Sequence, residues 1–218
     1  AYLPAIGRHE ATIGNGRETF RLTHFQWLAC LAVEWHLTAL ARDEAAHVAA
    51  IEAFRAEDLP HLPPYTKTDV RKLACFMATG AGKTLVLHIN LLQFLDHGLF
   101  EPENILLLTP GEALSDQHRR ELERSGLAHL PVTVTEITKF FVDEAGGRRP
   151  KKGVSEGTSR YEGPNLLLVD EGHKGGSAEA GTERQWRAIR EALARGGTED
   201  KGGFVFEYSA TFAQIADK

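Results

Sequence analysis

Residues 79–84 combine the side chains and the glycine spacing that a phosphate group requires. Gly80 and Gly82 permit a tight turn whose backbone N–H groups can point toward phosphate oxygens. The helical pattern that follows offers its positive N-terminus to the same anion. Lys83 adds a positive charge for the outer phosphates, and the Thr84 hydroxyl can bind the accompanying Mg²⁺. The sequence therefore predicts a nucleotide site formed by Thr79, Gly80, Ala81, Gly82, Lys83 and Thr84.

Two carboxylates follow a continuous apolar run further along the chain. Residues 165–169 are typical of a buried central strand, and the run ends at Asp170 and Glu171. A carboxylate at the end of such a strand is costly unless it faces a metal or a cleft. We therefore expect Asp170 to bind Mg²⁺, directly or through water, and Glu171 to activate the water that attacks the γ-phosphate. His173 has no His or Cys at ligand spacing, so it is not a predicted metal ligand.

Four segments resemble the motifs of superfamily 2 helicases. M-A-T-G-A-G-K-T is similar to motif I, whose first position is not restricted to glycine; L-L-T-P-G-E-A-L-S-D-Q is similar to motif Ia. V-D-E-G-H-K-G resembles the DExH form of motif II, and E-Y-S-A-T-F resembles motif III. Together they resemble the first RecA-like domain of DEAD/DEAH-box helicases. The sequences of these motifs most resemble those of bacterial helicases related to the helicase subunit of type III restriction enzymes. The resemblance implies an ATP hydrolase that uses Mg²⁺ and acts on nucleic acid.

The resemblance also gives roles to residues whose chemistry alone leaves alternatives open. Gln26 resembles the glutamine that binds adenine in many of these helicases, although a solvated residue on a helix surface is equally compatible. The turn after residue 108 resembles a contact to the nucleic-acid backbone, and a strand-to-helix turn is the alternative. The basic segment 146–163, which predicts a loop or hairpin, either binds phosphates or is a solvated charged loop. The predicted nucleic-acid contacts are Thr109, Pro110, Gly111, Lys139, Arg148 and Arg149, and the predicted coupling residues are His173, Ser209 and Thr211.

Apolar strands alternate with helical patterns from residue 67 onward. This order predicts an α/β RecA-like P-loop NTPase domain, with a doubly wound, mostly parallel sheet, over residues 67–218. Residues 1–66 predict an N-terminal extension that is irregular to about residue 18 and helical thereafter. In its first helix Phe25, Leu28 and Trp35 recur at helical spacing and form the predicted apolar face.

The bulk composition excludes several classes of protein. With 42% hydrophobic and 25% charged residues the chain has an ordinary globular composition, and a net charge of −5 excludes a uniformly basic nucleic-acid binder. No apolar run approaches the ~20 residues that span a bilayer. Cys30 and Cys75 have no partner at the spacing of a zinc site or a disulfide framework. We therefore expect no membrane association and a cytoplasmic location.

The resemblance implies that the 218 residues are a fragment, because no segment after Thr211 could supply motifs IV to VI and their arginine finger. A second RecA-like domain of the same protein is therefore an expected partner. The other expected partners are nucleic acid, DNA rather than RNA, and a nuclease or methyltransferase subunit of a restriction or phage-defence enzyme. A nucleotide-dependent nucleic-acid-binding module without turnover and an RNA helicase are the alternatives.

Overall fold

The computed structural model describes residues 2–142, 156–170, 180–196 and 202–210. None of the helices in these ranges is both long and apolar enough to cross a membrane. The helices are α1 (Tyr2–Gly14), α2 (His24–Arg42), α3 (Glu44–Asp58), α4 (Lys83–His97), α5 (Glu112–Arg124) and α6 (Ala180–Arg195). The strands are β1 (Lys72–Phe76), β2 (Asn104–Thr109), β3 (Val132–Glu136), β4 (Phe140–Phe141), β5 (Glu156–Gly157), β6 (Asn165–Asp170) and β7 (Phe204–Ser209).

Within the described residues, five strands form one sheet in the order β1-β7-β6-β2-β3, and every neighbouring pair is parallel. All six residues of β6 are buried, as are five of the six residues of β2, because both strands lie inside the sheet and are covered on both faces. β1 and β3 are the edge strands. All five carboxyl ends therefore lie at the same edge.

Alternate residues of the central strands enter two separate cores. Leu166 and Leu168 of β6 pack in the larger core with α1, α2 and α4, whereas Leu167 and Val169 pack in the smaller core with α6. Helices thus cover both faces of a parallel sheet, which confirms the predicted α/β RecA-like class with an N-terminal helical part. The apolar helix predicted over residues 85–97 is α4, and nine of its residues are buried.

The predicted irregular lead-in is wrong, because residues 2–14 form helix α1. Pro4 is tolerated since it occupies the first turn, where its missing N–H would have no intrahelical acceptor. Ile6 and Ile13 are completely buried in the larger core. Burial of this face stabilises a helix whose glycines disfavour it locally.

The predicted apolar face of α2 is also wrong. Phe25, Leu28 and Trp35 lie on the exposed side of the helix, with Leu28 65% and Trp35 52% exposed. The buried side instead carries Cys30, Leu37 and several polar residues. One of these, Glu34, accepts hydrogen bonds from Gln93 and contacts His97 on α4, which satisfies its buried carboxylate. Apolar burial and polar pairing across the α2–α4 interface therefore both favour the observed orientation of α2.

The basic segment predicted as a loop or hairpin is described only from residue 156. There β5 pairs in parallel with β4, so this pairing is not an antiparallel hairpin. A short 3₁₀ turn, Thr158–Arg160, follows and leads into β6. Arg148 and Arg149 lie outside the described residues.

Arg17 joins the segment after α1 to the end of α5. Its guanidinium donates to Glu121 Oε2 at 2.8 Å, to Ser125 Oγ at 3.3 Å and to the Ile13 carbonyl. The adjacent Gly16 packs so closely that a Cβ atom there would lie 2.7 Å from the Arg124 carbonyl oxygen. The N-terminal extension therefore braces α5 in addition to covering α4.

We predict that Arg17→Ala lowers the free energy of unfolding by about 1–3 kcal/mol, because it leaves the partly buried Glu121 carboxylate with only the more distant Arg124 guanidinium, at 3.6 Å, as a cationic partner. The matched control is Arg187→Ala, which removes an exposed pair with Glu191 at 3.2 Å and should change stability by less than about 0.5 kcal/mol. Denaturant unfolding measures both values. Equal effects of the two substitutions would contradict the bracing role of Arg17.

Candidate nucleotide-binding site

The loop between β1 and α4 has the backbone conformation that its glycines predict. Gly80 and Gly82 have φ angles of 78° and 79°, in the left-handed region that other residues rarely adopt. A turn hydrogen bond of 3.0 Å joins Ala81 N to the Ala78 carbonyl, and Gly82 is the N-cap of α4. Ala78, Thr79 and Gly80 are exposed, so the loop surface is open to a ligand.

Lys83 and Thr84 occupy the first two positions of α4. Lys83 is only 8% exposed, and a buried ammonium group is costly unless anionic or dipolar groups surround it. Thr84 is partly buried one residue further on. The helix N-terminus, the lysine and the hydroxyl thus come together at the end of β1, where an anion and its cation would be stabilised.

Gln26 lies against this loop. Its Nε2 donates to the Ala81 carbonyl at 2.8 Å, and its Oε1 accepts from Thr23 N at 2.9 Å at the start of α2. The side chain is 5% exposed, which excludes the solvated surface position that was its alternative. A Cβ atom added at Gly82 would overlap the Gln26 amide nitrogen. The amide thus links the N-terminal extension to the phosphate loop, and adenine binding by Gln26 stays a prediction.

Asp170 ends β6 and is 5% exposed. Its Oδ2 atom lies 2.8 Å from the Nε2 atom of His118, which is 1% exposed and belongs to α5. Sequence reasoning missed this histidine. A signal was present, because Ser115, His118 and Leu122 recur at helical spacing, and all three lie on the buried face of α5. Polar residues on the buried face of a helix indicate a polar contact with the element that this face packs against.

β7 lies between the strands that carry these two features. Ser209 pairs with Phe76 of β1, and its carbonyl accepts from Met77 N at 2.9 Å, directly before the phosphate loop. Tyr208 pairs with Asp170 on the other side. The end of β7 is therefore hydrogen-bonded between the phosphate loop and the acidic strand, and the coupling role of Ser209 stays a prediction.

Two of the predicted nucleic-acid contacts, Thr109 and Lys139, are engaged within the protein. The Thr109 hydroxyl is 1% exposed, contacts Ser115 Oγ at 2.6 Å and donates to the Gly111 carbonyl at 3.1 Å. Lys139 Nζ pairs with Glu136 Oε1 at 2.8 Å. Pro110 and Gly111 form the turn between β2 and α5 and are partly exposed. Of the remaining predicted site residues, Glu171, His173, Thr211, Arg148 and Arg149 lie outside the described residues.

Comparison with known protein families decides which nucleotide-dependent class the site belongs to. The sequence model of the DEAD/DEAH box helicase family matches residues 63–218. The chain belongs to this family. No curated protein sequence matches the chain. Family membership implies an ATP-binding, helicase-type motor domain, and the matched region begins shortly before β1 and contains the whole sheet.

The described residues of this helicase domain fit ATP and Mg²⁺. A left-handed glycine cradle, a buried lysine and a helix N-terminus suit the phosphates. No group of three His, Cys, Asp or Glu side chains in the described ranges could hold a metal ion. Mg²⁺ does not require one, because it keeps several waters and binds through one or two protein carboxylates together with phosphates. Asp170 and the Thr84 hydroxyl are the protein groups that suit it.

We predict that Gly82→Ala destabilises the helicase domain and weakens ATP binding. The left-handed φ alone costs about 1–2 kcal/mol for a residue with a Cβ atom, and overlap with the Gln26 amide adds to this penalty. Gly7→Ala is the matched control, because Gly7 lies in α1 with nothing within 4 Å of the added Cβ atom. It should be neutral or stabilising by up to about 1 kcal/mol.

A double-mutant cycle separates the two penalties. In a Gln26→Ala background the overlap is absent, so Gly82→Ala should lower the free energy of unfolding by about 0.5–3 kcal/mol less than in the wild-type background. Equal costs in the two backgrounds would show that the Gln26 side chain does not occupy the space above Gly82.

Proposed function

We propose that the chain is the ATP-binding motor domain of a superfamily 2 DNA helicase or translocase, which hydrolyses ATP with Mg²⁺ when a second RecA-like domain completes the site. The observation that carries this proposal is strand adjacency. The phosphate loop follows β1, Asp170 ends β6, and β7 alone separates the two strands. A buried lysine and a buried carboxylate thus end up at one edge of one sheet.

In this proposal each group has one task. The loop N–H groups and Lys83 bind and orient the phosphates, and Thr84 and Asp170 hold the cation. When bound there, Mg²⁺ would neutralise negative charge on the phosphates. Glu171 directly follows Asp170 in the chain and orients the attacking water while accepting its proton. Ser209, Thr211 and His173 transmit the state of the nucleotide toward the nucleic-acid surface.

The nucleic-acid surface is proposed at the same edge, beyond β2. Because the Thr109 hydroxyl is engaged with Ser115, the start of α5 after Gly111 is the better candidate for a phosphate of the nucleic-acid backbone. Lys139 and the basic segment containing Arg148 and Arg149 would extend this surface. Contacts of this kind do not depend on base sequence, which suits a motor that moves along its substrate.

Transition-state charge on the γ-phosphate requires a further cation, which we propose comes from an arginine of the second RecA-like domain. Such an arginine is worth about 10³–10⁵ in rate in related phosphoryl-transfer enzymes. Hydrolysis by the 218-residue chain should therefore be slow and little stimulated by nucleic acid. From the resemblance of its four motifs to type III restriction helicases, we further propose a cytoplasmic restriction or phage-defence enzyme that acts on DNA with a nuclease or methyltransferase subunit. Stronger stimulation of the complete motor by RNA than by DNA would favour an RNA helicase instead.

Substitutions at Lys83 and Glu171 test the proposal. Lys83→Ala should weaken Mg²⁺-dependent ATP binding about tenfold to a hundredfold, because hydrogen bonds to charged groups contribute about 1.5–3 kcal/mol. Lys67→Ala, at an exposed lysine outside the loop, should leave binding unchanged. Titration with a fluorescent ATP analogue measures both affinities.

Glu171→Gln should retain ATP binding but reduce hydrolysis about 10²–10⁴-fold, because the water loses its base. Phosphate release is measured with the second RecA-like domain present. Hydrolysis that is unaffected by this substitution contradicts the role of Glu171. ATP binding without hydrolysis in the wild-type motor would instead identify a nucleotide-dependent binding module without turnover.

A further inference from the structure

His118 is a buried histidine with one evident partner. Its Nε2 atom lies 2.8 Å from Asp170 Oδ2, and its ring is 1% exposed. The other ring nitrogen, Nδ1, is buried and has no hydrogen-bond partner among the described residues. Burying an imidazole is unfavourable unless its hydrogen-bonding groups are used, so the contact with Asp170 is the interaction that accounts for its position.

The chemistry of the pair sets the direction of this hydrogen bond. An ionised carboxylate only accepts hydrogen bonds, so Nε2–H is the donor when the Asp170 carboxylate is ionised, as a carboxylate that binds a cation must be. Hydrogen bonds to an ionised acceptor are short and about twice as strong as those between neutral groups. The contact therefore holds the Asp170 carboxylate in one orientation.

α5, which carries His118, is held at both ends. Near its first turn Ser115 Oγ contacts Thr109 Oγ1 at 2.6 Å, which ties the helix to the end of β2. Near its last turn Arg17 donates to Glu121 at 2.8 Å. Three consecutive turns of the buried face are thus fixed by polar contacts to β2, β6 and the N-terminal extension. The imidazole is anchored on a rigid element, as a group that orients another side chain must be.

We propose that His118 is a positioning residue of the Mg²⁺–ATP site, which acts by orienting the Asp170 carboxylate toward the cation or a water bound to it. The inference rests on the proposed function, because it assumes that Asp170 holds Mg²⁺. In this proposal His118 acts through Asp170 and does not bind the nucleotide itself. Since α5 begins at the proposed nucleic-acid surface, the same histidine connects that surface to the cation site through a single helix.

The test is the Mg²⁺ dependence of ATP binding by the 218-residue chain. Affinity for a fluorescent ATP analogue is measured in EDTA and across a Mg²⁺ titration. Removal of a group that orients a metal ligand typically weakens metal affinity 10–100-fold. His118→Ala should therefore raise the Mg²⁺ concentration needed for half-maximal binding by about that factor. Binding in EDTA should stay within about twofold of wild type, because neither the phosphate loop nor Lys83 is changed.

Two amide substitutions separate positioning from general packing. His118→Gln places an amide N–H near the position of Nε2, so it should restore the Mg²⁺ dependence to within about threefold of wild type. His118→Asn is polar but too short to reach Asp170 and should resemble His118→Ala. If His118→Ala does not fold, the comparison of His118→Gln with His118→Asn tests the inference in its place. The matched control is His36→Gln, at a buried histidine that contacts the Val70 carbonyl at 2.7 Å and lies outside the site.

The outcomes are distinct. An unchanged Mg²⁺ titration for His118→Ala or His118→Asn overturns the inference while leaving the proposed function intact. Equal weakening in EDTA and in Mg²⁺ assigns His118 a purely structural role and also overturns it. A wild-type chain whose ATP binding does not respond to Mg²⁺ at all contradicts the proposed function itself, and this result is visible before any variant is made.

Discussion

Parallel pairing of the five strands determines where the chemistry of this molecule lies. A parallel sheet must return the chain through crossovers on its faces, so all its carboxyl ends meet at one edge. The phosphate loop after β1, Ser209 at the end of β7 and Asp170 at the end of β6 all lie at that edge. Because β6 is buried on both faces, the Asp170 carboxylate is tolerated only with a donor such as His118 or a cation nearby. Parallel strand pairing thus brings the site residues together and also buries Asp170, which therefore needs polar contacts.

The N-terminal helices pack against the elements that form this site, although the matched family region begins at residue 63. α1 and α2 share a core with α4, the helix that starts at the phosphate loop. Gln26 donates to the loop carbonyl of Ala81, and Arg17 braces the helix that carries His118. Both sides of the nucleotide site are therefore supported by residues that precede the sheet. Such support from rigid elements keeps binding groups in a productive geometry.

The sequence predicted the features that depend on local pattern. Continuous apolar runs identified β2 and β6, and the glycine spacing predicted a tight turn between β1 and α4. It failed where tertiary contacts override local preference. α1 forms because Ile6 and Ile13 are buried, and the buried side of α2 includes Glu34 because this carboxylate finds partners on α4. The helical spacing of Ser115, His118 and Leu122 places His118 on the inner face of α5, but its contact with Asp170, 52 residues away in the chain, depends on the tertiary fold.

Hydrogen exchange with and without Mg²⁺–ATP tests the central claim, which is that the carboxyl edge of the sheet binds the nucleotide. We expect slower exchange in peptides covering residues 77–85 and in the peptide that ends at Asp170, with no change in residues 48–58 of α3. Ligand contact and reduced opening of the loop both slow exchange of its backbone amides. Unchanged exchange over residues 77–85, or protection confined to other parts of the chain, would contradict the account.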